Sequence, residues 1–359
     1  MAKRKLIPIF IPQAGCKNQC VFCNQKGITG INKLPQEEDL ASLMPPGGED
    51  YELAYYGGSF TSLPLAAMEV YLKFAAKMRD LGRVGQIRVS THPSSVNEST
   101  IGLLKKYGVN TIELGVQSLD DEVLRQAGRN HGKSEVLYSM FLIKNNGFNL
   151  GVQLMIGLPL DTPEKVFQGI AEIIPYAPSM VRIYPLLVLA DTPLVAEYHR
   201  GDYRPLSLSA AVNLTRDMFA VFSYYGIPVI RMGLQPTTDL NSNSELLVAG
   251  PFHPGFGHLV KSALKFKQAE MVLRDAPATV ELVVPRNELP LLFGEKGENM
   301  LSLRQNRRIK VSGKGLEPGS ITVLTTGDSD SKRCVATLSE FDFLDRYLNE
   351  NNFWSKTCI

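Results

Sequence analysis

From about residue 5 to 232, short apolar runs of β-prone residues alternate with longer segments of helical periodicity. Parallel strands joined by crossover helices give this pattern. Strands are expected near Ile7-Pro8-Ile9-Phe10, Leu53-Ala54-Tyr55-Tyr56, Ile87-Arg88-Val89, Thr111-Ile112-Glu113-Leu114, Val152-Gln153-Leu154-Met155 and Val181-Arg182-Ile183-Tyr184. Between them, residues 65–81 and 134–146 carry apolar side chains at helical spacing and end at glycine, which favours helix termination. Six strands predict an α/β fold, a partial (β/α)6 barrel open enough to admit a large substrate. The notable residues fall just after strands, where barrel-like α/β folds place their active sites.

Residues 233–277 break the rhythm. Pro251 to His258 is dense in turn formers and reads as a shaped loop, and Glu245 to His258 as a lid whose His253 and His258 touch either substrate or backbone; a helix from Leu259 to Leu273 follows. The β-prone run Thr279 to Val284 starts a small C-terminal α+β domain, and Phe341, Leu344, Tyr347 and Leu348 mark one face of a packing helix in the tail. The expected divisions are a barrel over 1–232, a lid and linking helix over 233–277, and a small domain over 278–359.

No apolar run approaches the ~20 residues that span a bilayer. The basic start runs into a short, proline-broken apolar stretch, which does not fit a signal peptide. Five cysteines, three of them clustered, suit a reducing cytoplasm better than a disulfide framework. No membrane partner is expected. A net charge of +2 neither demands nor excludes nucleic acid.

The clustered cysteines, Cys16, Cys20 and Cys23, are spaced Cys-x3-Cys-x2-Cys. That spacing fits three corners of a cubane iron–sulfur cluster and leaves one iron free to bind a small molecule. The competing reading is structural zinc, which prefers four ligands. The remaining candidates for a fourth, His92, His131, His199, Cys334 and Cys358, are remote in sequence.

With the cysteines followed in order by Tyr55-Tyr-Gly-Gly-Ser-Phe-Thr61, Glu113-Leu-Gly-Val-Gln-Ser118, Arg129-Asn-His131 and Gly157-Leu-Pro159, the sequence resembles the radical S-adenosylmethionine enzymes, closest to the branch of the elongator catalytic subunit and the anaerobic coproporphyrinogen oxidases. The resemblance covers residues 5 to about 232. It implies that Cys16, Cys20 and Cys23 hold a [4Fe–4S] cluster whose fourth iron is chelated by S-adenosylmethionine. One electron, from a donor such as flavodoxin or ferredoxin, then releases a 5′-deoxyadenosyl radical that takes hydrogen from the substrate. The protein supplies placement and shielding.

The resemblance also assigns roles. Phe22 packs near adenine or is core. Gly57 and Gly58 admit the methionine amino group to the backbone or form a tight turn. Gln117 and Arg129 match family contacts to the cofactor, and a guanidinium suits a carboxylate. Glu113 accepts from ribose hydroxyls or from a buried neighbour. Gly157 and Leu158 floor the adenine or end a strand. His92 stands where relatives often have arginine, and is a substrate or cofactor contact or a satisfied strand-end histidine.

Two departures bear on the substrate. Gln25 occupies the position of a further cysteine in the coproporphyrinogen oxidases, which argues against porphyrin chemistry. The roughly 80 residues after Ala278 are too few for the elongator subunit's acetyltransferase domain.

The run from Val283 to Leu303 resembles the core of a KH domain, in which a Gly-x-x-Gly loop between two helices clamps a nucleic-acid backbone. Here that loop is Gly294-Glu-Lys296-Gly297, and Arg304, Arg307, Arg308 and Lys310 form a basic group downstream. Glu295 and Glu298 oppose phosphate, and the other reading is a packing domain with a glycine turn. The expectation is therefore a cytoplasmic radical enzyme acting on RNA, most plausibly tRNA. The alternatives are a small-molecule substrate such as a tetrapyrrole, and a non-catalytic RNA-binding metalloprotein.

Overall fold

The computed structural model describes residues 4–11, 14–16, 19–30, 33–45, 51–234, 241, 245–326 and 332–353. Cys358 and parts of the segments around residues 12–18 and 235–244 lie outside them. The described chain forms two compact units, residues 1–207 with 227–254 and residues 208–226 with 255–359.

In the first unit, β1 (Lys5–Phe10), β2 (Tyr51–Tyr56), β3 (Gln86–Thr91), β4 (Thr111–Gln117), β5 (Asn149–Ile156), β6 (Met180–Pro185) and β8 (Val229–Met232) form one parallel sheet in sequential order. Between β6 and β8 the chain adds β7 (Val188–Leu189), which pairs antiparallel with β9 (Leu247–Ala249). One face of the main sheet is apolar, as packing against crossover helices requires, with Leu53, Tyr55, Ile87, Val89, Ile112, Leu114 and Ile183 fully buried; the other face carries Glu52, Arg88, Glu113 and Arg182. Crossovers include α3 (Leu65–Asp80), α4 (Glu98–Lys106), α6 (Lys133–Asn145) and α7 (Pro163–Ile173). Asn97 and Thr162 cap α4 and α7 through their side-chain oxygens, each satisfying an otherwise orphaned first-turn N–H.

The six expected strands are present, and a seventh, β8, extends the sheet to seven. It was not legible because it has four residues, none of them buried, with an arginine at its third position. The segment read as a lid loop also contains β9, held on β7 by Ala190 N–H donating to Leu246 O at 2.8 Å.

In the second unit, β10 (Thr279–Pro285), β11 (Arg308–Lys314), β12 (Ile321–Thr326) and β13 (Lys332–Leu338) form a sheet ordered β11-β10-β12-β13. β10 runs parallel to β11, and the other pairings are antiparallel. The helices α9 (Leu208–Tyr224), α10 (Phe256–Leu273) and α13 (Glu340–Glu350) belong to this unit. The compact units therefore differ from the divisions at 232 and 277: α9 groups with the second unit although it lies in the chain before β8. Helical periodicity marks an apolar stripe but not the element it packs on. The core of the unit joins Ala269 and Leu273 of α10 to Val280, Leu282, Val284, Ile309, Ile321 and Val323 of the sheet.

Candidate functional site

At the C-terminal ends of the first unit's strands, the chain after β1 turns through the cysteine segment. Three sets of main-chain contacts hold it. Ser59 N–H donates to Ala14 O at 2.9 Å, Val21 N–H donates to Ala127 O at 3.1 Å, and Leu194 N–H donates to Val21 O at 2.9 Å. Asn24 adds a side-chain bond, its Nδ2 donating to Ala190 O at 2.8 Å. The approach to β2 is so close that a Cβ on Gly58 would lie 2.2 Å from Ala14 O, and one on Gly15 2.3 Å from Ser59 O. Gly58 is thus demanded by packing, whatever binds nearby, whereas Gly57 has the left-handed φ of +95° that turns the chain out of β2.

Cys16, Cys20 and Cys23 share the wall of a cavity of about 800 Å³ with Phe22, Gly57, Gly58, Gln117 and Arg129. Among the described residues no three His, Cys, Asp or Glu side chains close on a single-ion site. Burial, then the charges of Cys20 and Cys16, push the Cys23 thiol up to about 12. Burial and Cys20 likewise raise Cys16, against the pull of Arg129. Three thiolates gathered here repel one another unless a positive centre shares them, which is the chemistry of an iron–sulfur donor set.

Arg129 supplies part of that compensation. Its Nη1 donates to Cys20 Sγ at 3.4 Å and its Nη2 to Gly115 O at 2.5 Å, while its buried Nε makes no hydrogen bond. Gln117 is turned into the cavity by a β-bulge: Gly115 and Gln117 face consecutive residues of β5, and Gln117 takes the left-handed φ of +69°. Its buried Oε1 has no partner. An orphaned acceptor and an orphaned donor thus stand near the cysteines, as a site built for a polar ligand requires.

The other expected contacts separate from the cavity wall. Glu113 is 1% exposed and is not among the residues that line it; its Oε2 lies 3.4 Å from Arg88 Nη1 and 3.4 Å from Arg182 Nε. Of the two roles left open for it, the fold gives it the buried neighbour. Gly157, with φ +76°, donates to Asp161 Oδ2 and accepts from the Tyr203 hydroxyl at 2.7 Å. Leu158 is core, packed with Val123, Ala127 and Leu194, and Phe22 covers the same cluster while still lining the cavity.

Three features of the site went unread in the sequence, and a fourth joins His92 and His131, which the sequence had marked. Arg88 makes a paired contact with Glu52, at 3.0 and 2.5 Å, inside the sheet. Arg182 stacks on Tyr56 with its guanidinium 4.9 Å from the ring centroid and donates to the Tyr56 hydroxyl at 2.7 Å. A hydroxyl chain links Ser59, Thr91 and Thr61 at 3.1 and 2.6 Å beside Gly58. His92 and His131 meet edge to face at 4.4 Å between centroids; burial and the charge of Arg129 lower them to about 3 and about 2. The signal available was an arginine in the middle of an apolar strand, as in Ile87-Arg88-Val89 and Val181-Arg182-Ile183.

In the second unit, the expected order of strand, helix, Gly-x-x-Gly loop and helix is present: β10 leads to α11 (Leu289–Phe293), residues 294–297, and α12 (Glu298–Arg304). Gly294, Lys296 and Gly297 all have positive φ. The basic group does not act together. Arg304 donates twice to Ile309 O and Arg307 donates to Ala276 O and Pro277 O, so both guanidiniums hold main-chain carbonyls of their own unit. Lys296, Arg308 and Lys310 are exposed.

Comparison with known proteins agrees with this geometry. A model described as the radical SAM superfamily matches residues 10–168, and one described as the radical SAM C-terminal domain matches residues 178–265. The tRNA uridine(34) acetyltransferase of Methanocaldococcus jannaschii is 32% identical over 129 residues, 35% of this chain and 24% of that protein. The heme chaperone HemW of Lactococcus lactis is 28% identical over 192 residues, 52% of this chain and 50% of that protein. The chain thus spans about a quarter to a half of the length of these relatives. The solved structure of Methanocaldococcus infernus Elp3 superposes on 90% of this chain and 74% of its own with a TM-score of 0.57 at 17% identity, a likeness of fold.

Proposed function

Because the chain belongs to the radical SAM superfamily, whose members use a [4Fe–4S] cluster and S-adenosylmethionine, we propose that Cys16, Cys20 and Cys23 hold that cluster and that the enzyme modifies RNA, specifically tRNA. When bound, the pair supplies a 5′-deoxyadenosyl radical after one-electron reduction by a flavodoxin- or ferredoxin-type donor. The chain's own residues do the rest. Arg129, anchored on Gly115 O, presents a fixed positive charge to the cysteine sulfurs and to a carboxylate beside them. The bulge at Gln117 offers its amide to the same space. Gly57 exposes backbone where a side chain would intervene, and Phe22 and Met155 give the cavity apolar wall that keeps water from a reactive ligand.

The observation that carries this reading is the convergence of three cysteines, Arg129 and Gln117 on one cavity from β1, β4 and the turn before α6. The RNA assignment draws support from the tRNA-modifying relative and from the loop at Gly294 to Gly297 with exposed Lys296, Arg308 and Lys310. The enzyme is assigned to the cytoplasm because five cysteines, three of them clustered, suit a reducing compartment; among the described residues no helix is long and apolar enough to cross a membrane.

The test is anaerobic reconstitution with iron and sulfide, reduction with dithionite, and measurement of 5′-deoxyadenosine released from S-adenosylmethionine, with Cys20→Ala as control. Release by the parent chain alone is expected, together with tRNA binding that weakens steeply as salt rises. Zinc in place of iron in the purified protein would overturn the cluster, and salt-independent or absent tRNA binding would overturn the substrate.

A further inference from the structure

A second set of side chains faces the cavity from the strands themselves, apart from the cysteine segment. The inner face of the sheet presents Phe10 from β1, Tyr56 from β2, Met155 from β5 and Tyr184 from β6, and all four line the cavity. Phe10 is the register partner of Tyr56, and Met155 that of Tyr184. The Phe10 and Tyr56 rings lie 6.2 Å apart between centroids. Each tyrosine thus has an apolar neighbour across the ladder.

One guanidinium holds both hydroxyls. Arg182 donates to Tyr56 from Nη2 at 2.7 Å and to Tyr184 from Nη1 at 3.3 Å, and Arg88 Nη1 adds a contact to Tyr56 at 3.4 Å. Because the fork is planar and rigid, it fixes the two oxygens relative to each other. Both hydroxyls serve as acceptors, and a phenol that accepts still has its own O–H to give. Neither donates to any of the described residues. Burial, then the nearby Glu113 carboxylate, push Tyr56 up to about 12, so it keeps that proton. The charge of Arg182 is already answered, its Nε lying 3.4 Å from Glu113 Oε2, and that of Arg88 is answered by Glu52 at 2.5 Å. What the tyrosines hold out to a ligand is therefore a pair of neutral donors, and few placed polar groups on an apolar wall are the makings of a binding site.

We propose that Tyr56 and Tyr184 form a receptor for the carbonyl edge of an uncharged, planar group carried by the substrate. This rests on the radical SAM reading and adds to it a substrate class; a nucleobase that presents a carbonyl belongs to that class, so the receptor also fits the RNA assignment. Tyr56 directly precedes the Gly57-Gly58 turn that packs on the cysteine segment, so a group held there lies beside the cofactor end of the cavity. Phe10 and Met155 suit a flat ring, whereas an anion would give up its hydration beside them for donors that carry no charge.

The test uses the full chain with its cluster reconstituted and S-adenosylmethionine at saturation, so that the cofactor's own adenosine is already seated. Thermal midpoints are read against inosine, against purine riboside, which is the same nucleoside without the ring carbonyl, and against sodium acetate at constant ionic strength. A saturable rise is expected with inosine, with purine riboside at least about tenfold weaker and acetate without effect. Tyr184→Phe leaves Arg182 its contacts with Glu113 and Tyr56, so its ligand-free midpoint is expected near the parent value. Its half-saturating concentration of inosine is expected to rise about tenfold, the worth of one hydrogen bond, while purine riboside titrates alike in parent and variant. No saturable rise with inosine, inosine and purine riboside titrating alike in the parent, or acetate alone being effective would overturn the receptor, and these comparisons need no variant to fold. A Tyr184→Phe chain that titrates inosine like the parent would overturn it as well. Equilibrium dialysis of S-adenosylmethionine in the same samples separates the two readings: cofactor retained with no preference for the carbonyl refutes the receptor alone, and cofactor not retained refutes the radical SAM reading on which it stands.

Discussion

Arg129 reaches across 109 positions of sequence to Cys20, its Nη1 3.4 Å from the sulfur, while its second terminal nitrogen grips Gly115 O at the bulge of β4. One side chain thus ties the cysteine segment to the strand end that carries Gln117. A lysine keeps the charge but has a single ammonium and cannot span both points. Arg129→Lys is expected to retain four irons per chain after reconstitution and to bind S-adenosylmethionine at least about tenfold more weakly, measured by equilibrium dialysis. Unchanged affinity would show that Arg129 is only a brace.

The second prediction concerns the seat of the cysteine segment. Gly58→Ala places a methyl 2.2 Å from Ala14 O and 2.7 Å from Ile11 O, both main chain. Neither can rotate away, so the segment must move. The expected loss is about 1–3 kcal/mol of stability, with iron incorporation falling alongside. Gly82→Ala, a glycine with open space around it but φ +67°, controls for backbone strain and is expected to leave iron content unchanged.

The buried charges of the sheet give a third. Arg88 is 8% exposed and Glu52 6%, and Arg88 also faces Glu113. Arg88→Met leaves Glu52 without its partner and Glu113 with Arg182 alone, and breaking such a pair destabilises by about 3–5 kcal/mol. Arg88→Met with Glu52→Met is expected to recover part of that loss in urea unfolding of the first unit. A double variant as weak as the single would mean the pair contributes little.

Burial and neighbouring charge set the pH response. His131 is lowered to about 2 and His92 to about 3, so both stay neutral in the folded chain while the unfolded chain takes up protons below about 6.5. Because the unfolded state binds more protons in that window, stability falls as pH drops from about 6.5, by at most about 1.4 kcal/mol per pH unit for each group. His131→Phe is expected to flatten the decline of thermal midpoint between pH 6.5 and 5. A slope equal to the parent's would show that His131 protonates as readily folded as unfolded.

How far the sequence could be read depended on where each residue's partner lies. The six long strands declared themselves because each is a mostly apolar, β-prone run alternating with a helical segment. β8, at the edge, has only four residues, none of them buried. Cys16, Cys20 and Cys23 were legible from local spacing, and Arg129 and Gln117 from motif order. Arg182 was not, because its meaning comes from Tyr56 and Glu113, 126 and 69 positions earlier, and no local pattern encodes a parallel register across three strands. Glu113 was readable as a buried charge, but its partners were not. The same limit explains Arg304 and Arg307: adjacent in sequence to Arg308 and Lys310, they suggested one basic surface, yet they fold back on carbonyls of residues 309 and 276.

The loop from Gly294 to Gly297 divides two roles that glycine can play. Gly294 has φ +76° with ψ 178°, a region almost closed to other residues, and a Cβ there would lie 2.8 Å from the Asn299 side chain. Gly297 has φ +82° with ψ 12° and nothing within 4 Å. Gly294→Ala is expected to destabilise the second unit by about 1–3 kcal/mol, whereas Gly297→Asn, which tolerates the left-handed region, is expected to leave its thermal midpoint nearly unchanged. The folded Gly297→Asn chain then isolates the effect of a side chain at the loop's open surface. If RNA is gripped there, its tRNA affinity falls without loss of fold, and Lys296→Gln lowers the slope of log affinity against log salt by about one. Affinity and slope equal to the parent's in both variants would remove the loop from the RNA contact and leave Arg308 and Lys310 on β11 to be tested.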